Sequence, residues 1–292
     1  MDRFDIAIIG TGPAGLEAAI TASIRNKKIL LLGSKNLSDK VEKGHLIRNY
    51  LGLPDISGTD LSKRLKAHID SFGIDITEDR ITAVYSLGDY FSLQGSSGTF
   101  YESETVIIAT GVMSGKVLEG ESEYLGNGVS YCATCDAPLY RKKSVAVLCY
   151  SKHEESEADF LSEVASSVSF FPLYKEGVEV NESIEVIPEH PVSLKRENMK
   201  TVVTTSEGNT YSYDGVFVLR DSIAPSNLVP GLITEGAHIV CDRSMKTNID
   251  GCFACGDITG LPYQYIKSAG EGNIAALSAC AYIDSNKRNS KQ

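Results

Sequence analysis

The chain has 292 residues, 42% hydrophobic and 23% charged, the balance of an ordinary globular protein of about two domains. Its 28 basic and 38 acidic residues give a formal net charge of −10. That argues against nucleic acid or an anionic membrane as partner, since both select a basic surface. No apolar run approaches the ~18–20 residues of a membrane helix, and Met1–Asp5 lead straight into a predicted strand. Neither a span nor a secretory leader is therefore expected, and the expected location is the cytoplasm. Seven cysteines are odd in number and too sparse for a disulfide scaffold. In a reducing compartment they are expected to be structural, metal-bound or catalytic.

Phe4–Ile9 is a short apolar run of the kind buried on both faces of a sheet. Gly10-Thr11-Gly12-Pro13-Ala14-Gly15 follows, then a predicted helix from Leu16 to about Arg25 and a strand over Lys28–Leu32. This is a βαβ unit with a GxGxxG turn. The first glycine makes the turn, the second admits a pyrophosphate, and the third lets helix pack on strand. The helix N-terminus offers N–H groups to phosphates. Gly33-Ser34 stand where NAD-binding proteins carry a ribose-binding acid, which favours FAD over NAD here.

Residues 61–72 predict a helix, and residues 74–110 short strands ending in the apolar Val106–Ala109. Beyond residue 112 the pattern restarts. A strand over Ser144–Cys149, a helix over Glu154–Ser166 and a strand over Val168–Phe171 form a second βαβ unit. A meander is predicted over residues 184–213, then a strand over Val216–Leu219. The last 70 or so residues return to the first style, with Gly251–Asp257 and a long final helix that frays from Asn286. The expected fold is α/β: two Rossmann-like (FAD/NAD(P)-binding) three-layer ββα domains, the central one inserted in the other. Residues 1–113 and 221–292 are assigned to the outer domain and 114–220 to the central one.

Cys132-Ala133-Thr134-Cys135-Asp136 is the sharpest signal in the chain. Two cysteines three apart at the start of a helical turn can close a strained, readily reduced disulfide. Asp136 is placed to pass protons to and from thiolates. The competing readings are two buried small hydrophobes, or a zinc site shared with Cys252 and Cys255. The second pair lies on a predicted strand, where positions i and i+3 face opposite ways, so no metal is expected. Cys149, Cys241 and Cys280 are expected to be structural.

With these motifs in place the chain resembles the low-molecular-weight thioredoxin reductases over nearly its whole length. Ile8–Gly15 resembles their FAD loop, and Ile108-Ala109-Thr110-Gly111 their second FAD contact. Cys132–Asp136 matches their redox motif. Phe253–Asp257 resembles the strand whose Asp binds the ribityl chain, and Ile266–Gly272 the helix start under the flavin. The resemblance implies that Gly10, Gly12, Pro13, Ala14, Gly15, Ala109, Thr110, Gly111, Gly256 and Asp257 hold FAD. It adds His45, where a Gln is usual, Asn49, Gln264, Tyr265 and Ile266; Tyr263 and Tyr265 replace the family's usual Arg and Ala. It places Cys135 next to the flavin and gives Cys132 the attack on the disulfide of thioredoxin. It also implies a homodimer, with hinges near Gly111–Gly115 and Leu219–Ser222.

The second βαβ unit departs from that family. Where a GxGxxA loop for NADPH belongs, the chain has Cys149-Tyr150-Ser151-Lys152-His153-Glu154, with no glycine. Side chains there block close approach of a pyrophosphate. Glu154, Glu155 and Glu157 are expected to load the helix start with charge that repels phosphate. The family's arginine cluster for the 2′-phosphate is replaced by Pro172–Val178, with Lys175 its single basic residue. An intact flavin loop and redox motif without a nicotinamide site resemble the ferredoxin-dependent flavin thioredoxin reductases. The expected path runs from reduced ferredoxin through FAD and a Cys132–Cys135 disulfide to thioredoxin. The alternatives are an NADPH enzyme with an aberrant pocket and a flavin-binding interaction protein without turnover. Lys63, Arg64 and Lys66, Arg141-Lys142-Lys143, and Lys27-Lys28 are candidate docking patches for an acidic donor.

Overall fold

A computed structural model describes residues 3–42, 44–112, 117–121, 123–220 and 223–289, without the side chains of Asp39, Cys135 and Asn289. The chain divides into two compact units. One comprises Met1–Gly95, Thr99–Val112 and Leu228–Gln292; the other comprises Ser96–Gly98 and Met113–Asn227. The expected hinge residues 113–115, 221 and 222 lie outside the described residues.

The first unit is built on a seven-stranded sheet. Its order runs Ile76–Thr77, Ile29–Leu32, Phe4–Ile9, Phe100–Ile108, Phe91–Gly95, Ile81–Ser86, with Cys252–Ala254 also pairing Phe100–Ile108. The long strand changes partners along its length. Its first half pairs antiparallel with Phe91–Gly95, and its second half runs parallel between Phe4–Ile9 and Cys252–Ala254. Ile8 sits opposite both Leu31 and Ile107. The parallel strands are closed off from solvent on both faces, which explains their unbroken apolar run. Helix Pro13–Ile24 begins on a proline, whose fixed φ suits a first helical position. It packs on Tyr265–Asn289 through small residues, Ala18, Ala19 and Ala22 against Ala275, Ala276 and Ala279. The helix predicted over 61–72 starts earlier, at Gly58, because Ser57 caps it: its Oγ accepts the Asp60 N–H at 3.1 Å.

The second unit has a five-stranded parallel sheet in the order Glu185–Val186, Ser167–Pro172, Ser144–Cys149, Gly215–Leu219, Val129–Ser130. Successive residues of Ser144–Cys149 feed opposite cores. Val145, Val147 and Cys149 meet Ala158 and Leu161 of helix Glu155–Val164. Ala146 and Leu148 meet Leu194, Val203 and Tyr213 of the antiparallel meander Pro191–Glu197, Lys200–Thr205, Thr210–Tyr213. Helix, parallel sheet and antiparallel sheet are the three layers of a Rossmann-like domain. No described helix is long and apolar enough to cross a membrane.

Candidate functional site

In the first unit, three chain segments converge at the carboxyl ends of the parallel strands. Gly10 has φ +118°, and a Cβ there would lie 2.2 Å from the carbonyl oxygen of Ala109. A Cβ on Gly15 would lie 1.9 Å from the carbonyl oxygen of Gly10. Both positions therefore demand glycine, one for the turn and one for the helix lying on it. Gly12 differs: a Cβ there would meet nothing nearer than Ser38 Cβ at 3.9 Å. The space over the loop is open, at the start of a helix with no acid in its first turn. Gly256, at φ +86°, packs its α-carbon against the same loop; a Cβ would stand 2.9 Å from that of Ala14. Asp257 follows, half-buried, its Oδ1 accepting the Ser268 hydroxyl at 3.0 Å.

Thr110 marks the cradle's inner wall. Its Oγ1 is buried without a hydrogen-bond partner in the protein. Leaving such a group unsatisfied costs about 1–3 kcal/mol, so the site is built for a polar ligand. The segment holding His45 and Asn49 is joined to the start of the last helix. Asn49 Nδ2 donates to Gln264 Oε1 at 2.5 Å, and the Tyr265 hydroxyl donates to the Lys40 carbonyl at 2.9 Å. Burial raises the Tyr265 pKa, with Asp257 adding to the effect. His45, Asn49, Gln264 and Ile266 are exposed. At the far end of the 109–111 segment, Gly111 takes φ +69°, and Lys40 Nζ donates to the Val112 carbonyl at 2.7 Å. An open anion-binding helix start, an orphaned buried hydroxyl and a held carboxylate fit FAD.

The redox motif lies in the second unit. Cys132 is in a disulfide, whereas Cys149, Cys241, Cys252, Cys255 and Cys280 are thiols. The side chain of Cys135 lies outside the described residues. Ser130, which the sequence reading overlooked, braces the motif: its Oγ accepts the Cys132 N–H at 3.1 Å. Cys132 then caps the turn Ala133–Asp136, its carbonyl accepting the Asp136 N–H at 3.3 Å. Asp136 is half-buried, and its charge adds to burial in raising the Tyr140 pKa. Among the described residues no cluster of His, Cys, Asp or Glu is arranged to hold a metal ion. Cys252 and Cys255 are fully buried, and burial pushes the Cys252 thiol up to about 12.

The loop that replaces the NADPH motif is filled by the protein itself. Tyr150 turns its ring under the guanidinium of Arg220, 4.1 Å from the ring centre. Arg220 also pairs with Glu121, Nη2 to Oε2 at 2.8 Å, and both side chains are almost completely buried. One expectation needs correction. Glu155 does not offer its charge to the space where a phosphate would lie. It is 7% exposed, accepts the Tyr174 hydroxyl, and accepts the Glu179 N–H at 3.0 Å. Lys152 Nζ donates to the Gly177 carbonyl and pairs with Glu179, each at 2.9 Å. Residues 174–179 are thereby strapped across the start of helix Glu155–Val164. The Glu121–Arg220 pair was invisible to pattern reading because the two residues stand 99 positions apart.

This fold and these sites define a flavin-dependent disulfide oxidoreductase. Residues 4–149 match the family model of the pyridine nucleotide-disulphide oxidoreductases. The chain is 33% identical to the thioredoxin reductase of Peptoclostridium litorale, covering 96% of this chain and 97% of that one. It is similar to two crystal structures described as ferredoxin-flavin thioredoxin reductases from Clostridium acetobutylicum. One is 51% identical with a TM-score of 0.93, covering 98% of this chain and 99% of that chain. The other is 45% identical with a TM-score of 0.85, covering 97% and 99%. The chain belongs to the thioredoxin reductase family, an FAD-binding family whose substrate is thioredoxin.

Proposed function

We propose that this protein reduces thioredoxin with electrons taken from reduced ferredoxin rather than from NADPH. The observation that carries the reading is the closed loop of the second unit. Tyr150 stacked on Arg220, and the Glu155 strap over residues 174–179, occupy the ground on which a Rossmann domain binds dinucleotide. Bound FAD supplies the ability to accept electrons singly and deliver them in pairs. Gly10, Gly12, Pro13, Ala14 and Gly15 hold its pyrophosphate. Ala109, Thr110, Gly111, Gly256 and Asp257 line the same cradle, and His45, Asn49, Gln264, Tyr265 and Ile266 complete it. Cys132 and Cys135 form the redox disulfide. Once reduced, Cys132 attacks the thioredoxin disulfide, Cys135 resolves the mixed disulfide, and Asp136 moves the proton.

The domains proposed to divide this work are residues 1–113 with 221–292, and residues 114–220. A cytoplasmic location accords with a partner that works through thiols in a reducing compartment. The functional form is a homodimer, and Gly270, Ile274, Leu277 and Ala281 offer an exposed apolar stripe at helical spacing for a second copy. Leu277→Asp should then yield a monomer in sedimentation; an unchanged species would remove that face.

The deciding experiment is anaerobic mixing of the oxidised enzyme with reduced ferredoxin, NADPH or NADH, following flavin absorbance. Ferredoxin should bleach the flavin rapidly and support thioredoxin reduction, and neither nicotinamide should do so. Rapid bleaching by NADPH would establish the alternative, an NADPH enzyme with an altered pocket.

A further inference from the structure

Behind the cofactor cradle, two charged residues of the last helix grip the turn that carries Asp257. Lys267 and Glu271, one helical turn apart, point away from solvent, their side chains 19% and 17% exposed. Glu271 Oε2 accepts the Gly256 N–H at 2.9 Å and the Thr259 hydroxyl at 2.8 Å. Lys267 Nζ donates to the Gly256 carbonyl at 2.9 Å and the Gly260 carbonyl at 2.8 Å. Its third N–H is shared between Thr259 Oγ1 and Glu271 Oε2, both 3.1 Å away. The contacts thus hold both ends of the turn Gly256–Thr259, three of them on backbone and two on the Thr259 hydroxyl.

The two glycines gripped in this way have φ +86° and +114°. Both take backbone conformations that only glycine adopts readily, and they bracket the carboxylate expected at the ribityl chain. Ser268 touches that carboxylate directly, whereas Lys267 and Glu271 do not. A half-buried ion pair stabilises little by itself. Its geometry here fixes where the neighbouring side chain stands.

We infer that Glu271 and Lys267 are positioning residues for FAD: they act through the backbone of Gly256 and Gly260 to hold Asp257 in its cofactor-binding place. The inference rests on the reading of Asp257 as an FAD contact. It is tested on the full-length holoenzyme by the rate of FAD loss on dilution, read as recovery of free-flavin fluorescence. D257A should speed release by about 100-fold, and E271A and K267M by about 10-fold each, the range expected for hydrogen bonds to charged groups. In a D257A background, E271A should add less than about 2-fold, because its effect passes through the missing carboxylate. E271Q, which keeps an acceptor oxygen, should recover most of the loss. A merely structural pair would lower the melting temperature and leave the single and double effects additive; that result would overturn the inference. If D257A releases FAD faster but E271A and K267M do not, this inference fails while the assignment of Asp257 stands. If D257A changes nothing, the assignment itself fails. Should E271A not fold, K267M, alone and in the D257A background, carries the same cycle.

Discussion

Thr110 is the residue at which cofactor binding and stability oppose each other most directly. Its buried Oγ1 has no partner in the protein, so the free protein bears the cost of a stranded hydroxyl. Thr110→Val removes that hydroxyl at nearly constant volume. The cofactor-free variant should melt above the wild type, by the equivalent of about 1 kcal/mol, yet bind FAD about 10-fold more weakly. Calorimetry of the apoprotein and an FAD titration check the two signs separately; a variant that loses both would show the hydroxyl to be structural. The cysteines divide as sharply. A thiol raised to about 12, as at Cys252, holds only about one part in ten thousand as thiolate at pH 8, and the thiolate is the reactive form. Mild reduction followed by iodoacetamide should therefore label Cys132 and Cys135 and leave Cys252 untouched until denaturant is added, as read by peptide mass spectrometry. Cys132→Ser should abolish thioredoxin reduction while retaining FAD; turnover in that variant would refute its role as the exchanging thiol.

The two βαβ units show how one local plan is put to opposite uses. Helix Pro13–Ile24 begins without an acid and faces open space beyond Gly12. Helix Glu155–Val164 has Glu155 and Glu157 in its first turn, and Glu155 ties down the segment after the next strand. Glu155→Ala would strand the Tyr174 hydroxyl and the Glu179 N–H, and should cost about 1–3 kcal/mol in thermal unfolding. It should still not create nicotinamide binding by calorimetry, because the glycines remain absent. The two βαβ units, the three layers and the glycine loop were legible in the sequence, since apolar runs and glycine turns leave local marks. The strap and the Glu121–Arg220 pair were not, because each joins residues made neighbours only by tertiary folding. Glu155 was misread for that reason: a helix-first-turn acid looks solvent-facing until its partners are known. Asp214 shows a pH consequence of such tertiary pairing. Partial burial opposes its ionisation, but Lys200 Nζ at 2.7 Å and the N–H and hydroxyl of Ser144 outweigh this and lower its pKa. Its contribution is then fully present above the ordinary value of 3.8 and is lost as pH falls through the lower folded value. The stability gap between wild type and Asp214→Asn should hold steady at neutral pH and close below about pH 4, in denaturant titrations across that range. A gap that widens in acid would reverse the assignment.

For the whole molecule, a net charge of −10 means that any acidic partner approaches against long-range repulsion, and local basic patches must provide the steering. The patches differ in strength. Lys27 is mostly buried and paired with Asp284, which removes half of the Lys27-Lys28 candidate. On helix Gly58–Ser71, Lys63 lies 3.9 Å from Asp60 and Lys66 pairs with Asp70, so three positive charges face two negative ones. Arg141, Lys142 and Lys143 are all exposed and have no acid among the four residues before them. They follow the turn Ala137–Tyr140, directly after the redox motif, within the same unit. That run should therefore steer whichever partner meets the disulfide. Reversing Arg141, Lys142 and Lys143 to Glu should lower kcat/KM for thioredoxin about 10-fold or more at low salt. The loss should shrink as ionic strength rises past about 0.15 M, where the screening length falls to about 8 Å. Flavin reduction by ferredoxin, measured by stopped flow on the same variant, should be unchanged. Reversing Lys63, Arg64 and Lys66 should instead slow flavin reduction by no more than a few-fold, given their paired acids, and spare thioredoxin turnover. Equal losses with both partners in one variant would mean that a single surface serves both, and a salt-independent loss would show that the lysines contribute contacts rather than steering.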